Sequence, residues 1–463
     1  MVPQKIHIIG AGGVGMSGLA LLAQRLGARV TASDQNDSPY LRKLADKGMT
    51  TWVGSQPDRI PASSHVFYST AIRPEDPERS FAERSGMACE SRHQLLKLIT
   101  RHFFTIAIAG CHGKTTTSAW TARLLECAGF DPTALIGGTV PEWNSNYREG
   151  QGLIQGKPLL VIEADESDRS FLSIETNVAM VTNIDLDHTD VHANLESLTQ
   201  DFLAFVRTAR ARGGWIHLSK ECPQELLAEL EVEEKNQWQK IAVDPEAHAV
   251  IKEEKKFPVG LAGAHNLLNA TLVLQLALRL GIDEATIASV LRDFAGVNRR
   301  MQTIAAFPEK NLVVIDDYAH HPHEVDATLS ALAARYDRLL IFWEPHRLSR
   351  FNHFYAEFDV VLRRYAERHS LFVLPIYASG DRAAEYPLTE ERFAHFRNPP
   401  YTFVSGPTDY QQTARAWITG RNAAVFMGAG KSSDYAHAYA EWLRHSSENL
   451  VADAGSKPGQ KGP

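Results

Sequence analysis

The stretch from residue 103 to residue 117 decides how the rest of the chain is interpreted, and it reads FFTIAIAGCHGKTTT. Its first half is an apolar run of strand length, and a helical pattern begins at Lys114. Between them lies a turn of small residues, whose backbone N–H groups can face a phosphate. Lys114 can then reach the outer phosphates, and the Thr115 hydroxyl can bind magnesium. The stretch therefore predicts a phosphate-binding loop, with ATP as its expected ligand.

The spacing of this loop is shorter than the common one. Gly110, Gly113, Lys114 and Thr115 follow G-x-x-G-K-T, two residues shorter than G-x-x-x-x-G-K-[ST], because residue 108 is Ile108 and not glycine. An ordinary helix start is the alternative. We favour the phosphate loop because the strand, the turn, the Lys-Thr pair and the helix all agree.

Short apolar runs alternate with amphipathic helical stretches along the chain, which predicts the α/β class with parallel sheets. The pattern starts at Lys5, again at Phe103 and again near Leu312. We therefore expect three domains, with a Rossmann-like N-terminal domain over 1–100, a P-loop-type ATP-binding central domain over 101–298 and an α/β C-terminal domain over 299–445. Residues 446–463 are predicted to be a disordered tail, and the charged residues 220–256 a solvated face.

Composition limits the classes of partner. The 463 residues carry 48 Lys and Arg against 55 Asp and Glu, a net charge of −7, so nucleic acid is not expected as a ligand. Four cysteines cannot form a disulfide framework, the first residues lack a signal-peptide pattern, and no run of about 18 apolar residues follows. We expect a cytoplasmic protein that does not insert into membranes and is a monomer or a weak homodimer.

A second glycine-rich turn follows the first strand. Gly10, Gly12 and Gly15 fit G-x-G-x-x-G, and Asp34 ends the second strand nineteen residues after Gly15. The turn predicts a site for a diphosphate, in a dinucleotide cofactor or in a nucleotide sugar. The alternative is that these glycines only permit a tight turn and bind no ligand. The alternative function based on this motif is a nicotinamide-dependent oxidoreductase.

Carboxylates follow two neighbouring strands of the central region. Glu163, Asp165, Glu166 and Asp168 come after one strand, and the end of the next strand carries Asn183, Asp185, Asp187, His188 and Asp190. Like charges so close together need a cation or solvent between them. We expect magnesium beside the phosphate loop, with an acidic solvent-facing loop as the alternative.

Three further groups of residues are candidates. His265 and Asn269 lie four apart at a helix start and suit an adenine edge or a helix cap. Arg299 and Arg300 could hold a transferring phosphoryl group, or could be exposed linker residues. The third group follows two strands of the last domain and comprises Asp316, Asp317, Tyr318, His320, His321, His346, Arg347 and Arg350. Arg347 and Arg350 suit a carboxylate, so we prefer amino-acid binding at this group to zinc binding.

Six stretches, taken together and in this order, resemble the Mur ligase family. They are IGAGGVGMSG (9–18), GCHGKTTT (110–117), EADESDRSF (163–171), HNLLN (265–269), DDYAHHP (316–322) and PHR (345–347). The likeness runs from about residue 5 to about residue 430. Members that recycle murein tripeptide generally have a tyrosine where this chain has Ser167, so the alanine-adding branch is the more similar one.

The resemblance implies an ATP-dependent, magnesium-dependent ligase that joins UDP-N-acetylmuramate to L-alanine through an acyl phosphate, in peptidoglycan precursor synthesis. It implies UDP-sugar binding by Gly12, Gly13, Val14, Gly15, Asp34, Ser69 and Thr70. ATP would be bound by Gly110, His112, Gly113, Lys114, Thr115, Thr116, His265, Asn269, Arg300 and Asp317. The amino acid would meet Tyr318, His320, His346, Arg347 and Arg350, and the metal Thr115, Glu163 and His188. The catalytic residues would be Lys114, His188, Arg300 and His320.

Four residues depart from the family pattern. Trp343 and Glu344 stand where phenylalanine and glutamine are more usual, Arg169 where a glycine is common, and Lys431 where an aspartate is common. A nucleotide-binding protein without turnover is a third candidate function, against which Lys114, Thr115 and Glu163 argue.

Overall fold

The structure, a computed structural model, describes residues 2–185, 192, 194–382, 384–386, 390–404 and 420–454. They fall into two compact units, Met1–Val297 and Asn298–Pro463. Parallel sheets with intervening helices form both units, which confirms the predicted α/β class. Within the described ranges, every helix is either too short or too polar for a membrane span.

The first sheet of the first unit has five parallel strands in the order β3-β2-β1-β4-β5. The strands are β1 Lys5–Ile9, β2 Arg29–Asp34, β3 Thr50–Val53, β4 His65–Tyr68 and β5 Cys89–Ser91. The helices are α1 Val14–Arg25, α2 Pro39–Asp46, α3 Pro77–Arg84 and α4 Arg92–Thr100. The strand order reverses between β1 and β4, and ligands of such sheets bind at that point, beyond the carboxyl ends of the strands.

The second sheet of this unit has the order β12-β11-β6-β10-β7-β8, and β9 pairs with β10. Its strands are β6 Phe104–Ala109, β7 Thr133–Val140, β8 Ser145–Arg148, β9 Leu153–Ile154, β10 Lys157–Glu163, β11 Val178–Val181 and β12 Trp215–Leu218. The helices are α5 Lys114–Cys127, α6 Leu195–Ala211, α7 Gln224–Leu227, α8 Val232–Gln239, α9 Ala264–Arg279 and α10 Glu284–Asp293. The central strand β6 is apolar except for the buried Thr105, because both of its faces lie in hydrophobic clusters.

The two parallel sheets just described share one hydrophobic core, to which both α1 and β7 contribute. Leu135 of β7 packs against Gly18 of α1 so closely that a Cβ at Gly18 would lie 2.1 Å from Leu135 Cδ1. This close contact explains why the residues on either side of position 100 belong to one compact unit.

Residues 220–256 form more structure than a solvated face. They contain α7, α8 and most of a three-stranded antiparallel sheet, β13 Ile241–Asp244, β14 Ala249–Lys252 and β15 Lys255–Pro258. Val250 and Phe257 are buried in the core beneath this sheet. Each strand has four residues, so few apolar positions marked them in the sequence.

The second unit has one sheet in the order β16-β17-β21-β18-β19-β20, in which only the β16–β17 pair is antiparallel. The strands are β16 Gln302–Phe307, β17 Leu312–Asp317, β18 Arg338–Trp343, β19 Ser370–Val373, β20 Thr402–Phe403 and β21 Asn422–Met427. The helices are α11 Pro322–Ala333, α12 Leu348–Ala366, α13 Glu390–His395 and α14 Ser432–Ala454. Helix α14 extends past residue 446, where the sequence predicts the tail to begin.

Candidate functional site

The predicted phosphate loop connects β6 to α5 and is tightly packed. Gly110 has φ +134° and Gly113 has φ +81°, values that residues with a side chain rarely adopt. A Cβ at Gly110 would lie 2.0 Å from Thr182 Oγ1, and one at Gly113 would lie 2.7 Å from Asn269 Oδ1. Both glycines are therefore required by conformation and by space, and Asn269 of α9 lies beside the loop.

Lys114 is held by its own chain at the start of α5. Its Nζ donates to Gly110 O at 2.7 Å, to Cys111 O at 3.2 Å and to Glu166 Oε2 at 2.8 Å. Burial disfavours the charged amine, but Glu166, Asp165 and Glu163 outweigh burial and raise the pKa of Lys114. The loop thus keeps a permanent positive charge where phosphates would bind.

The predicted metal ligands Thr115 and Glu163 are in contact. The Thr115 hydroxyl donates to Glu163 Oε1 at 3.0 Å, and Gly137 N donates to Glu163 Oε2 at 2.7 Å. A hydroxyl and a carboxylate beside a phosphate loop are the oxygen ligands that Mg²⁺ takes in nucleotide sites. His188, with Asp187 and Asp190, lies outside the described residues.

The end of β11 also contacts the loop. Asn183 Oδ1 accepts from His112 N at 2.9 Å, Asn183 Nδ2 donates to His112 O at 3.0 Å, and His112 Nε2 lies 3.2 Å from Asp185 Oδ2. Strands β10 and β11 are the two neighbours of β6 in the sheet. Their carboxyl ends therefore both lie beside the loop that follows β6.

His265 and Asn269 lie in the first turns of α9. The N-cap of this helix is Gly263, with no side-chain capping hydrogen bond, so neither residue is the cap. Asn269 is buried and its Nδ2 donates to Asn266 Oδ1 at 3.2 Å. Thr116, in the first turn of α5, is buried as well.

The glycine-rich turn after β1 is closed by Asp34. Gly12 N donates to Asp34 Oδ2 at 2.8 Å, and a Cβ at Gly12 would lie 2.6 Å from Asp34 Cγ. Gly13 is the N-cap of α1, which begins at Val14 and lacks a side-chain cap. The N–H of Gly12 is thus already bound to the Asp34 carboxylate, whereas the first turn of α1 contains no acidic residue.

Ser69 and Thr70 follow β4 and lie beside this turn. A Cβ at Gly10 would stand 3.0 Å from Ser69 Cβ, and Ser69 N donates to Ile9 O at 3.1 Å. Thr70 Oγ1 lies 3.5 Å from Asp168 Oδ2. The predicted UDP-sugar residues are therefore together at the point where the strand order reverses.

Sequence reasoning missed Arg92 and assigned Asp168 differently. Arg92 Nη1 lies 2.9 Å from Asp168 Oδ2, whereas the sequence grouped Asp168 with the carboxylates of a cation site. Arg92 Nη2 would be 3.3 Å from a Cβ on Gly15, so this guanidinium lies at the first turn of α1. No local pattern marks Arg92, because its two neighbours are 76 and 77 residues away in sequence.

In the second unit, four aromatic rings line the ends of β17, β18 and β19. Tyr318 and His320 have ring centroids 5.2 Å apart, His320 and His346 5.5 Å, and His346 and Tyr377 5.7 Å. Burial lowers the pKa of His320 to about 3 and that of His346 to about 4. Both imidazoles are therefore neutral near pH 7, and they can accept a hydrogen bond without carrying a charge.

The two candidate arginines of this unit differ in their partners. Arg347 Nη2 lies 3.2 Å from Asp381 Oδ1, while the buried Arg350 has its Nη1 3.4 Å from His346 Nδ1. Asp381 also accepts from the Ser349 hydroxyl at 2.6 Å. Arg350 is therefore the arginine nearer to the histidines.

Asp317 and Arg300 lie close to Tyr318. Asp317 Oδ2 accepts from Met301 N at 2.7 Å and Oδ1 accepts from Ala319 N at 2.8 Å, and burial raises the pKa of this carboxyl to about 6. The guanidinium of Arg300 stands 5.1 Å from the Tyr318 ring centre and 3.5 Å from Glu324 Oε1.

The structure shows what Glu344 and Arg169, two of the departures from the family pattern, contact. Glu344, which is buried, accepts from Gly430 N at 2.8 Å and from Lys431 N at 2.7 Å, so its carboxylate holds the turn before α14. Arg169 has φ +59°, a conformation that favours glycine, and its Nη2 lies 2.6 Å from Asp201 Oδ1. The Arg169 side chain thus pairs with Asp201 of α6, while its backbone holds a conformation that favours glycine.

Comparison with known proteins places these features in a family. Three family models match in order: the catalytic domain of the Mur ligase family over residues 5–104, the Mur ligase middle domain over 108–277 and the Mur ligase glutamate ligase domain over 299–369. The UDP-N-acetylmuramate–L-alanine ligase of Mesorhizobium japonicum is 31% identical over 96% of this chain and its own full length. That of Gloeobacter violaceus is 33% identical over 92% of this chain and 93% of its own.

A solved structure shows the same fold. The UDP-N-acetylmuramate–alanine ligase of Thermotoga maritima superposes with a TM-score of 0.74 over 96% of this chain and 99% of its own, at 24% identity. Its likeness covers all three predicted α/β domains. The chain therefore belongs to the Mur ligase family, as its six sequence motifs indicate.

Proposed function

We propose that this chain joins L-alanine to UDP-N-acetylmuramate, with conversion of ATP to ADP and phosphate, in peptidoglycan precursor synthesis. The observation that carries the proposal is the cluster of Lys114, Thr115 and Glu163 at the phosphate loop, in a chain whose curated relatives are named for this reaction. The amide bond requires activation because a carboxylate oxygen is a poor leaving group.

The first unit binds ATP and the UDP-sugar in this proposal. Gly110, His112, Gly113, Lys114, Thr115 and Thr116 bind the phosphates, and His265 and Asn269 face adenine. The contact between Gly113 and Asn269 supports this role, because it joins the start of α9 to the phosphate loop. Gly12, Gly13, Val14, Gly15, Asp34, Ser69 and Thr70 bind the UDP-sugar.

Magnesium fits the oxygen atoms beside the phosphate loop. Thr115 and Glu163 would hold it, with His188 as a further ligand proposed from the sequence. The ion would supply positive charge to the phosphates of ATP. Lys114 adds a fixed charge that does not depend on pH near neutrality.

The second unit binds the amino acid in this proposal. Tyr318, His320, His346, Arg347 and Arg350 form its site, and Arg300 and Asp317 serve the nucleotide. Neutral His320 and His346 suit an incoming alanine, because uncharged imidazoles do not repel its ammonium group and can accept a hydrogen bond from its nitrogen. Arg350 suits the α-carboxylate, because its guanidinium lies beside His346.

The reaction divides into two steps. The lactyl carboxylate of the sugar attacks the γ-phosphorus of ATP, which releases ADP and leaves an acyl phosphate. The free amine of alanine then attacks the acyl carbon and expels phosphate. Both partners in the first step are anions, so Lys114 and Arg300 act by neutralising charge, and such groups contribute a few kcal/mol each.

The domain limits and the cellular setting belong to the same proposal. The UDP-sugar domain comprises residues 1–100, the ATP domain 101–298 and the amino-acid domain 299–445. We place the reaction in the cytoplasm and expect a monomer or a weak homodimer.

Mass spectrometry of the product tests the reaction. Incubation with ATP, Mg²⁺, UDP-N-acetylmuramate and L-alanine should give a product heavier than the UDP-sugar by one alanine residue, and omission of ATP should abolish it. A UDP-sugar that stays unchanged in the complete mixture would contradict the proposal.

A further inference from the structure

Arg92 lies at the glycine-rich turn of the first unit with part of its guanidinium unused. It begins α4, directly after β5, and its Nη1 donates to Asp168 Oδ2 at 2.9 Å. Its Nη2 points to the first turn of α1, where it stands 3.3 Å from the Cβ that Gly15 lacks. Its buried Nε has no hydrogen-bond partner among the described residues.

The guanidinium of Arg92 lies where a diphosphate bound at the glycine-rich turn would need a positive charge. The carboxylate of Asp34 already binds Gly12 N, so a diphosphate at this turn would approach an existing negative charge. The first turn of α1 offers backbone N–H groups without side-chain caps, but these are only partial positive charges. A guanidinium beside the same turn supplies a full positive charge and directed N–H donors.

Asp168 fixes this guanidinium from a different part of the first unit. Its Oδ1 accepts from Ser170 N at 2.9 Å, its Oδ2 binds Arg92, and its backbone oxygen lies 3.1 Å from His93 Nε2. Asp168 follows the strand that ends in Glu163, and it therefore joins the segment after β10 to the glycine-rich turn.

We infer that Arg92 binds the diphosphate of the UDP-sugar and that Asp168 is the positioning residue that aims its guanidinium at the turn. The inference rests on the proposed function and adds a binding residue to it. Arginine suits this position better than lysine, because one nitrogen can stay on Asp168 while another binds a phosphate oxygen.

Calorimetric titration of the full chain with UDP and with uridine tests the inference, because the two ligands differ by the diphosphate alone. Arg92→Ala should weaken UDP binding by tenfold or more and change uridine binding by less than twofold. The affinity of Arg92→Lys for UDP should lie between the affinities of Arg92→Ala and of the unsubstituted chain. Lys97→Ala is the matched control, since Lys97 is an exposed cation on the same helix, and it should bind both ligands as the unsubstituted chain does.

The role of Asp168 has its own readout. Asp168→Asn keeps a hydrogen-bond acceptor for Arg92 and loses the charge, so UDP binding should weaken by about threefold to tenfold while uridine binding stays unchanged. A purely structural role would weaken both ligands together and lower the melting temperature, and that result would overturn the positioning role.

The outcomes separate this inference from the proposed function. If the unsubstituted chain forms the alanyl product and Arg92→Ala binds UDP equally well, the inference is wrong and the function stands. If Arg92→Ala fails to fold, the Arg92→Lys result decides in the same way, with equal UDP affinity overturning the inference. An unsubstituted chain that neither binds UDP nor forms the product would instead contradict the proposed function.

Discussion

Lys114 and Glu166 form a buried ion pair at the start of α5, with Nζ 2.8 Å from Oε2. A phosphate that binds at the loop competes with this carboxylate for the same ammonium group. Under the proposed function Lys114 therefore has two tasks: it balances the acidic segment after β10 when the loop is empty, and it would bind phosphate during the reaction.

Removal of this lysine should affect activity and stability separately. Lys114→Met should lower ADP release on the order of a thousandfold, because a charge beside the transferring phosphoryl group is lost. It should also lower the free energy of unfolding by about 3 kcal/mol or more, because Glu166 loses its buried partner. Steady-state kinetics and urea denaturation measure the two effects.

The double variant Lys114→Met/Glu166→Gln is the control for the single one. It removes both charges, so most of the lost stability should return while ADP release stays absent. Recovered turnover in the double variant would show that Lys114 serves the fold and not the reaction.

An acyl phosphate should be trapped by a strong nucleophile. With ATP and UDP-N-acetylmuramate but without alanine, added hydroxylamine should give the hydroxamate of the sugar, and mass spectrometry identifies it. Lys114→Met should give no hydroxamate. Product formation from alanine without any hydroxamate would argue for direct displacement.

Arg350 should determine the affinity for alanine. Arg350→Ala should raise the KM for alanine by about tenfold to a hundredfold, as expected for loss of a charge-assisted hydrogen bond, and leave the KM for ATP within twofold. Arg364→Ala, an exposed arginine on the same helix, is the control and should match the unsubstituted chain. An unchanged alanine dependence in Arg350→Ala would show that the amino acid binds elsewhere.

Stability should fall as the pH decreases from 7.5 to 5. Burial holds the pKa of His346 near 4, below the unfolded value of about 6.5, so the unfolded chain binds a proton in this range and the folded chain does not. His346 should therefore contribute a loss of about 2 kcal/mol between these two pH values. His346→Gln should show a correspondingly smaller loss, measured by urea denaturation at both pH values.

The exposed His353 provides the comparison for this experiment. His353→Gln makes the same chemical change at a solvent-exposed position, so it shows what the substitution itself does to the measured pH dependence. If His346→Gln and His353→Gln give the same pH dependence, burial of His346 is not the cause.

Sequence patterns predicted those parts of the site that are local in the chain. The loop around Lys114 and the turn around Gly12 each combine a strand end, glycines and a helix start within about a dozen residues. Their geometry therefore depends on residues that are close together in sequence. Glu163 could be placed beside Thr115 because parallel neighbouring strands end at the same edge. Family membership followed from the same local stretches.

Contacts between distant segments could not be predicted in this way. Arg92 reaches Asp168 only because α4 packs near the segment after β10, and Glu344 meets Gly430 only because β18 and β21 are neighbours. Such pairs depend on the packing of whole elements, and even Asp168, which lies in a recognisable motif, has nothing in its sequence neighbourhood that indicates Arg92 as its partner.

The central claim is tested most directly by ADP release in the presence of ATP, Mg²⁺, UDP-N-acetylmuramate and each of the twenty amino acids in turn. The proposed function predicts rapid ADP release with L-alanine and much slower release with large or charged amino acids. Equal ADP release with all twenty, or release that does not require the UDP-sugar, would contradict it.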